Sequence, residues 1–296
     1  MTSSLCSQSI TIDSSKITGY QTLSMSSHGN EVASLMFGSK ILQGKQVYTL
    51  HINRYSNNRW DTLPVKIKSG SGQKEIKYGG DISPGILRYD NQGKLMFGAK
   101  SSLYFYDSDG WNEHTITDTL SPYREVTSVV SDYNNGIYMS LRSTVPLDTI
   151  TENGGTIILI SHIINEVYHF QNGSFTRVYY EQSNAMTSFI MVSVKHDGTL
   201  LMTRSTADSS LMYYKDGQWS VTTLQTPIGD KHIQYVKQIV PDRKGGVWFA
   251  YNTPPRHNIG FSSGGVSYLN ANGVWRHFLP VDGMPSTIGR TKDESD

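Results

Sequence analysis

The sequence predicts an all-β protein: a β-propeller of four-stranded antiparallel blades, with five recognisable blades and a partial sixth. Three observations predict it. Runs of Val, Ile, Tyr, Phe and Thr recur between Gly, Asn and Asp pairs, the vocabulary of strands and tight turns. No segment of three or more helical turns carries apolar residues cleanly at i, i+3, i+4 and i+7. One pattern recurs five times in order: an apolar run, a Gly turn, an apolar run ending in a small residue, a loop, an aromatic-bearing run, an Asn/Asp-Gly turn, and a closing Trp or Phe.

The first copy, at about 20–66, reads YQTLSMSSHGNEVASLMFGSK and then KQVYTLHINRYSNNRWDTLPV. The second, at about 81–118, contains GILRYDNQGKLMFGAK and SSLYFYDSDGWNEHTI. The third, at about 125–180, contains EVTSVVSDYNNGIYMSLR and, after a loop, NEVYHFQNGSFTRV. The fourth, at about 186–225, reads MTSFIMVSVKHDGTLLMTR and SSLMYYKDGQWSVTTL. The fifth, at about 233–279, reads IQYVKQIVPDRKGGVWFAY and GGVSYLNANGVWRHF. The Asn/Asp-Gly pairs at 109–110, 172–173, 216–217 and 272–273 mark hairpins, because Gly takes positive φ without Cβ strain. A single four-stranded sheet cannot bury both faces, whereas sheets stacked about an axis bury them against each other. The closing aromatics, Trp60, Trp111, Phe175, Trp219 and Trp275, are then expected to fill the wedge between adjacent sheets. A β-sandwich or two barrels with coincident spacing is the competing architecture.

Residues 1–296 read as a single propeller domain. Residues 286–296 resemble the first strand of a sixth unit, and 7–17 a last strand that would close the ring. The Ser-Gly-Ser-Gly run at 69–72 reads as a polar linker.

Composition narrows the partners. The formal net charge of +1 gives no global field toward nucleic acid or membrane. The single cysteine, Cys6, excludes an intrachain disulfide and a Cys-based metal cluster. The N-terminal MTSSLCSQSITID lacks the basic and apolar regions of a signal peptide, and no apolar run reaches membrane-spanning length.

The stretch VKQIVPDRKGGVWFAY, with GGVSYLNANGVWRHF and DGMPS after it, resembles the two-component regulator propeller repeat. The fit is closest in the fifth unit and in the DGMPS linker at 282–286; the other units carry Phe37, Phe97, Tyr138 and Leu201 near the place of the second-strand Trp. The resemblance implies an extracytoplasmic, periplasmic sensor region of a hybrid histidine kinase, with the kinase module outside this chain. It implies ligand binding, and it specifies fold better than ligand.

The loops joining second to third strands share one face of such a fold, where binding residues usually stand. They are expected at 38–46, 98–102, 141–154, 203–210 and 250–264. A basic residue follows the second strand in four units: Lys40, Lys100, Arg142 and Arg204. In the fifth, Tyr251 takes the place, with Arg256 and His257 further along. Equivalent positions in successive blades surround one axis, so these residues are candidates for a partial cationic ring taking an anionic small ligand or a uronic or sulfated glycan. The bland reading is solvated charge at loop starts. Tyr104, Tyr106 and Tyr213 alternate in third strands and read as inter-sheet packing rather than sugar platforms.

No catalytic, metal or cofactor motif is present: no HExxH, no GxSxG elbow, no Walker loop. His196 reads as a solvated turn residue. The expected function is non-catalytic recognition of a small molecule or glycan, with no nucleic acid partner. The alternative is a propeller lyase or glycoside-active hydrolase, using Arg256, His257 and the loop carboxylates Asp148, Glu152 and Asp208 on the same face.

Overall fold

The computed structural model describes residues 20–42, 45–69, 72–75, 86–108, 110–117, 123–152, 155–183, 190–204, 210–223, 235–252 and 265–278. All regular structure among them is β. Blade 1 comprises β1 (Tyr20–His28), β2 (Glu31–Leu42), β3 (Lys45–Ser56) and β4 (Arg59–Leu63). A hairpin of β5 (Lys66–Ser69) and β6 (Gly72–Glu75) follows. Blade 2 comprises β7 (Ile86–Tyr89), β8 (Leu95–Ala99), β9 (Ser102–Asp107) and β10 (Gly110–Thr115), and blade 3 comprises β11 (Tyr123–Ser131), β12 (Ile137–Glu152), β13 (Gly155–Gln171) and β14 (Ser174–Ser183). Blade 4 comprises β15 (Ile190–Val194), β16 (Leu200–Arg204), β17 (Ser210–Lys215) and β18 (Gln218–Thr223), and blade 5 comprises β19 (Tyr235–Pro241), β20 (Val247–Asn252), β21 (Gly265–Leu269) and β22 (Trp275–Phe278).

Each blade is an antiparallel meander in chain order. The first strands lie side by side, β1 against β7, β7 against β11, β11 against β15 and β15 against β19. Five sheets stacked through a shared row of inner strands make a β-propeller. The segments 7–17 and 286–296 lie outside the described residues.

Alternation along the strands produces the packing. Phe97, Leu87 and Trp111 of blade 2 interdigitate with Ala33, Leu35 and Ile52 of blade 1. Met96, Leu103 and Phe105, on the other face of blade 2, meet Val126, Met139, Leu141 and Tyr168 of blade 3. Tyr138 and Val167 meet Val192 and Met202 across the next seam, and Leu201 and Leu211 meet Val247 and Phe249 across the last. The approach is tightest at Gly98. A Cβ there would stand 2.5 Å from Val129 Cγ2 and 3.1 Å from Val126 Cγ1, so blade 2 meets blade 3 through bare backbone.

The turns from first to second strand share a device. Asp90, Asp132 and Asp242 each accept backbone N–H bonds from i+2 and i+4 through Oδ1, and Asn270 does the same between β21 and β22. In blades 3 and 5 the second carboxylate oxygen braces the sheet. Asp132 Oδ2 bonds His169 Nε2 at 2.7 Å, and Asp242 Oδ2 accepts from the Tyr268 hydroxyl at 2.8 Å. The hairpin signals at Asn172-Gly173 and Asp216-Gly217 hold, with both residues of each pair at positive φ. Asn57-Asn58 serves blade 1 in the same conformation.

Three expectations are corrected. Residues 66–75 are not a plain linker. Lys66 to Ser69 and Gly72 to Glu75 pair as a hairpin, and β5 adds parallel to the outer edge of blade 2, Trp111 opposite Ile67 and Asn112 opposite Lys68. Residues 141–152 are not an irregular loop: β12 continues through them, paired with β13 as far as Glu152 opposite Gly155, with bulges around Pro146. Residues 38–42 and 45–46 likewise extend the β2–β3 hairpin of blade 1.

The closing aromatics divide. Trp111 is wholly buried and donates through Nε1 to the Pro64 carbonyl at 2.9 Å, at the exit of blade 1. Trp219 donates to the Val178 carbonyl of blade 3 at 3.2 Å. Phe175 and Trp275 pack against the seams before their own blades. Trp60 does not fill a wedge: it sits opposite Tyr55 on the face of blade 1 turned away from blade 2, and is 40% exposed.

Candidate functional site

The loop face is the end at which second strands finish and first strands begin. Arg142, in β12, is paired with Glu125 of the inner strand, and its Nη1 donates to Glu125 Oε1 at 3.0 Å. Its charge is therefore partly compensated. Lys100 follows β8 directly, half-buried and left-handed at φ 51° in the turn to β9. Arg204 is the last residue of β16, opposite Ile190, the first of β15. Lys40 lies two residues beyond Gly38, whose partner Tyr20 opens β1. Tyr251 stands opposite Val236 near the start of β19. The backbone thus carries all five positions at one end of their sheets, at or just past the start of the inner strand. The side chains of Lys40, Arg204 and Tyr251, and all of Arg256 and His257, lie outside the described residues. So does Asp208; Asp148 and Glu152 are placed by backbone alone, in the β12 extension.

The tyrosines behave as packing. Tyr104 is buried, with its hydroxyl donating to Glu113 Oε1 at 2.8 Å, and Tyr106 packs beside Trp111. Tyr213 is half-buried on the blade 4–blade 5 core, where burial raises its pKa. His196 is exposed in its turn, its ring 4.7 Å from Tyr133.

Blade 3 is the polar blade of this face. One cross-strand row runs Glu125, Arg142, Asn165, Glu181. One residue toward the loops the side chains point the other way, toward blade 2, and Arg124 stands opposite Ser143. Arg124 is 6% exposed, and its Nη2 donates to Glu166 Oε2 at 3.3 Å. Glu166, 0% exposed, also accepts from Arg177 Nη1 at 3.2 Å and from the Tyr168 hydroxyl at 2.9 Å. The hydrogen bond to Glu166 raises the Arg177 pKa. A buried carboxylate survives only with such partners.

Sequence reasoning missed Arg124 and Glu166. Arg124 reads as an ordinary charged strand start, and its partner lies 42 residues away. Among the described residues no group of three His, Cys, Asp or Glu side chains is placed to hold a metal ion, and no helix is long and apolar enough to cross a membrane.

No family model and no curated protein matches the chain. Solved structures similar to it include YCF48 bound to D1 peptide, at 11% identity, 94% of this chain, 72% of that chain and TM-score 0.48. Another is described as the extracellular domain of a hybrid two component system from B. thetaiotaomicron, at 8% identity, 77% of this chain, 26% of that chain and TM-score 0.46. A third is a mannose phosphorylase from Leishmania mexicana in complex with phosphate ion, at 10% identity, 74% of this chain, 72% of that chain and TM-score 0.38. These structures are mixed in kind, an extracellular domain of a two component system beside an enzyme. Identities and TM-scores at this level carry no argument about activity.

Proposed function

We propose that this chain is a non-catalytic recognition propeller that takes an anionic small molecule or acidic glycan on its loop face. One observation supports the reading: a basic residue stands in or just after the second strand of four successive blades, Lys40 in β2, Lys100 after β8, Arg142 in β12 and Arg204 at the end of β16, each near the level where the inner strand of its blade starts. Cations repeated about one axis sum their potentials at its mouth and favour oxyanions through charge-assisted hydrogen bonds. Tyr251, Arg256 and His257 complete the set from the fifth blade. On the sequence resemblance to the two-component regulator propeller repeat, the proposed role is the extracytoplasmic, periplasmic sensor region of a signalling receptor, with its histidine kinase module outside this chain.

Calorimetric titration of the purified chain tests the reading, with glucuronate-containing oligosaccharides against neutral ones of equal length. Acidic sugars are expected to bind more tightly, and Arg142→Ala and Arg204→Ala each to weaken them without weakening the neutral ones. Equal weak binding of both classes would end the idea. Cleavage of the acidic sugar during the titration would instead favour a lyase or hydrolase on this face.

A further inference from the structure

The buried cluster between blades 2 and 3 is incompletely satisfied. Arg124 uses one nitrogen on Glu166; its Nε and Nη1 are buried with no hydrogen-bond partner. Ser143, its cross-strand neighbour on the same face, is wholly buried and its Oγ also has no partner. Unpaired buried donors on a guanidinium are costly, and proteins rarely leave them so. Arg124 and Arg177 both pair with the carboxylate of Glu166.

Arg124 is the second residue of β11, at the loop-face end of the inner strand. Two residues further along the strand stands Val126, against which the bare backbone of Gly98 packs. Lys100, two residues beyond Gly98, begins the turn on the blade 2 side of the same seam. Unused N–H donors and an unused hydroxyl therefore lie together in the seam, toward its loop-face end.

We propose that this seam is an oxyanion subsite, in which Arg124 and Ser143 take the oxygens of a carboxylate, sulfate or phosphate group. The inference deepens the anionic-ligand reading, since it names the inner anchor of that ligand. An oxyanion there accepts from the idle Arg124 nitrogens and from the Ser143 hydroxyl. Glu166 is a positioning residue, fixing the guanidinium by its far nitrogen.

The test uses the whole chain, with ionic strength held constant by potassium chloride. Sulfate, phosphate, glucuronate and glucose are titrated separately, read by calorimetry and by the thermal midpoint. At least one oxyanion is expected to raise the midpoint saturably, glucose is not, and the best of the three identifies the chemical source. Arg124→Lys, which keeps the charge but loses the planar donors, and Ser143→Ala, which removes only an unpartnered hydroxyl, should each lower that affinity by about tenfold. Near-ultraviolet circular dichroism verifies that the Ser143 variant keeps its packing. No midpoint response beyond that of chloride, leaving water as the occupant, would overturn the proposal. So would Ser143→Ala and Arg124→Lys proteins that bind like the parent. Loss of binding in Arg142→Ala and Arg204→Ala but not in the seam variants would sink this subsite and spare the loop-face reading. Arg124-dependent sulfate binding with no preference for acidic sugars would do the reverse.

Discussion

Trp60 and Trp111 close equivalent units and have opposite fates. Both end a fourth-strand turn, and both pair across to a tyrosine, Tyr55 and Tyr106. Trp111 is completely buried between its own blade and blade 1, with its indole N–H bonded to the Pro64 carbonyl. Trp60 points from blade 1 to the side where no described blade stands, and it remains 40% exposed. The closing aromatic is thus not intrinsically a core residue. It becomes one when a preceding blade offers a wedge and a carbonyl. Blade 5 shows the mirror image: Phe249 is buried against blade 4, while Trp248, its neighbour in the same strand, faces outward at 37% exposure beside Tyr268 and Phe278.

The comparison can be broken by measurement. Trp111→Ala should cost about 3–5 kcal/mol in denaturant unfolding, the range for emptying a filled aromatic site. Gly98→Ala, which forces a methyl group into Val129 across a closed seam, should cost about 1–3 kcal/mol by the same assay. His114 probes a filled seam by pH. It packs on Phe105 and Phe170, and burial followed by the charge of Lys94 holds its pKa below the ordinary value. The unfolded chain then takes up a proton that the folded chain resists, so stability should fall as pH drops below about 6.5. His114→Phe should flatten that part of the profile. Trp60→Ala should change stability by no more than about 0.5 kcal/mol, as for an exposed site. A Trp60 loss equal to that of Trp111 would show that its wedge is filled in solution.

Much of the architecture was readable because the repeat writes it several times. Apolar alternation, the Asp-x-x-Gly turns and the Asn/Asp-Gly hairpins each report a local event, and local events survive in sequence. What escaped depends on distant neighbours. The 66–75 segment is rich in Lys, Ser and Gly and reads as a linker; it becomes a hairpin because the edge of β10 offers backbone partners. The 141–152 stretch carries Pro146 and mixed polar residues, yet β13 holds it in register through bulges. Arg142 was visible as one of a series, but its pairing with Glu125 was not, because Glu125 lies on another strand. Arg124 and Glu166 were invisible for the same reason: only the register places them on one face.

The β5–β6 hairpin has a consequence for how the molecule comes apart. It leaves blade 1 at Pro64, whose carbonyl already holds the Trp111 indole, and then runs alongside β10 at the rim of blade 2. Peeling blade 1 away must strip this strap from the rim and expose Trp111 in the same event. Blades 1 and 2 should therefore open as one cooperative unit in native-state hydrogen exchange, their slowest amides sharing a single opening free energy.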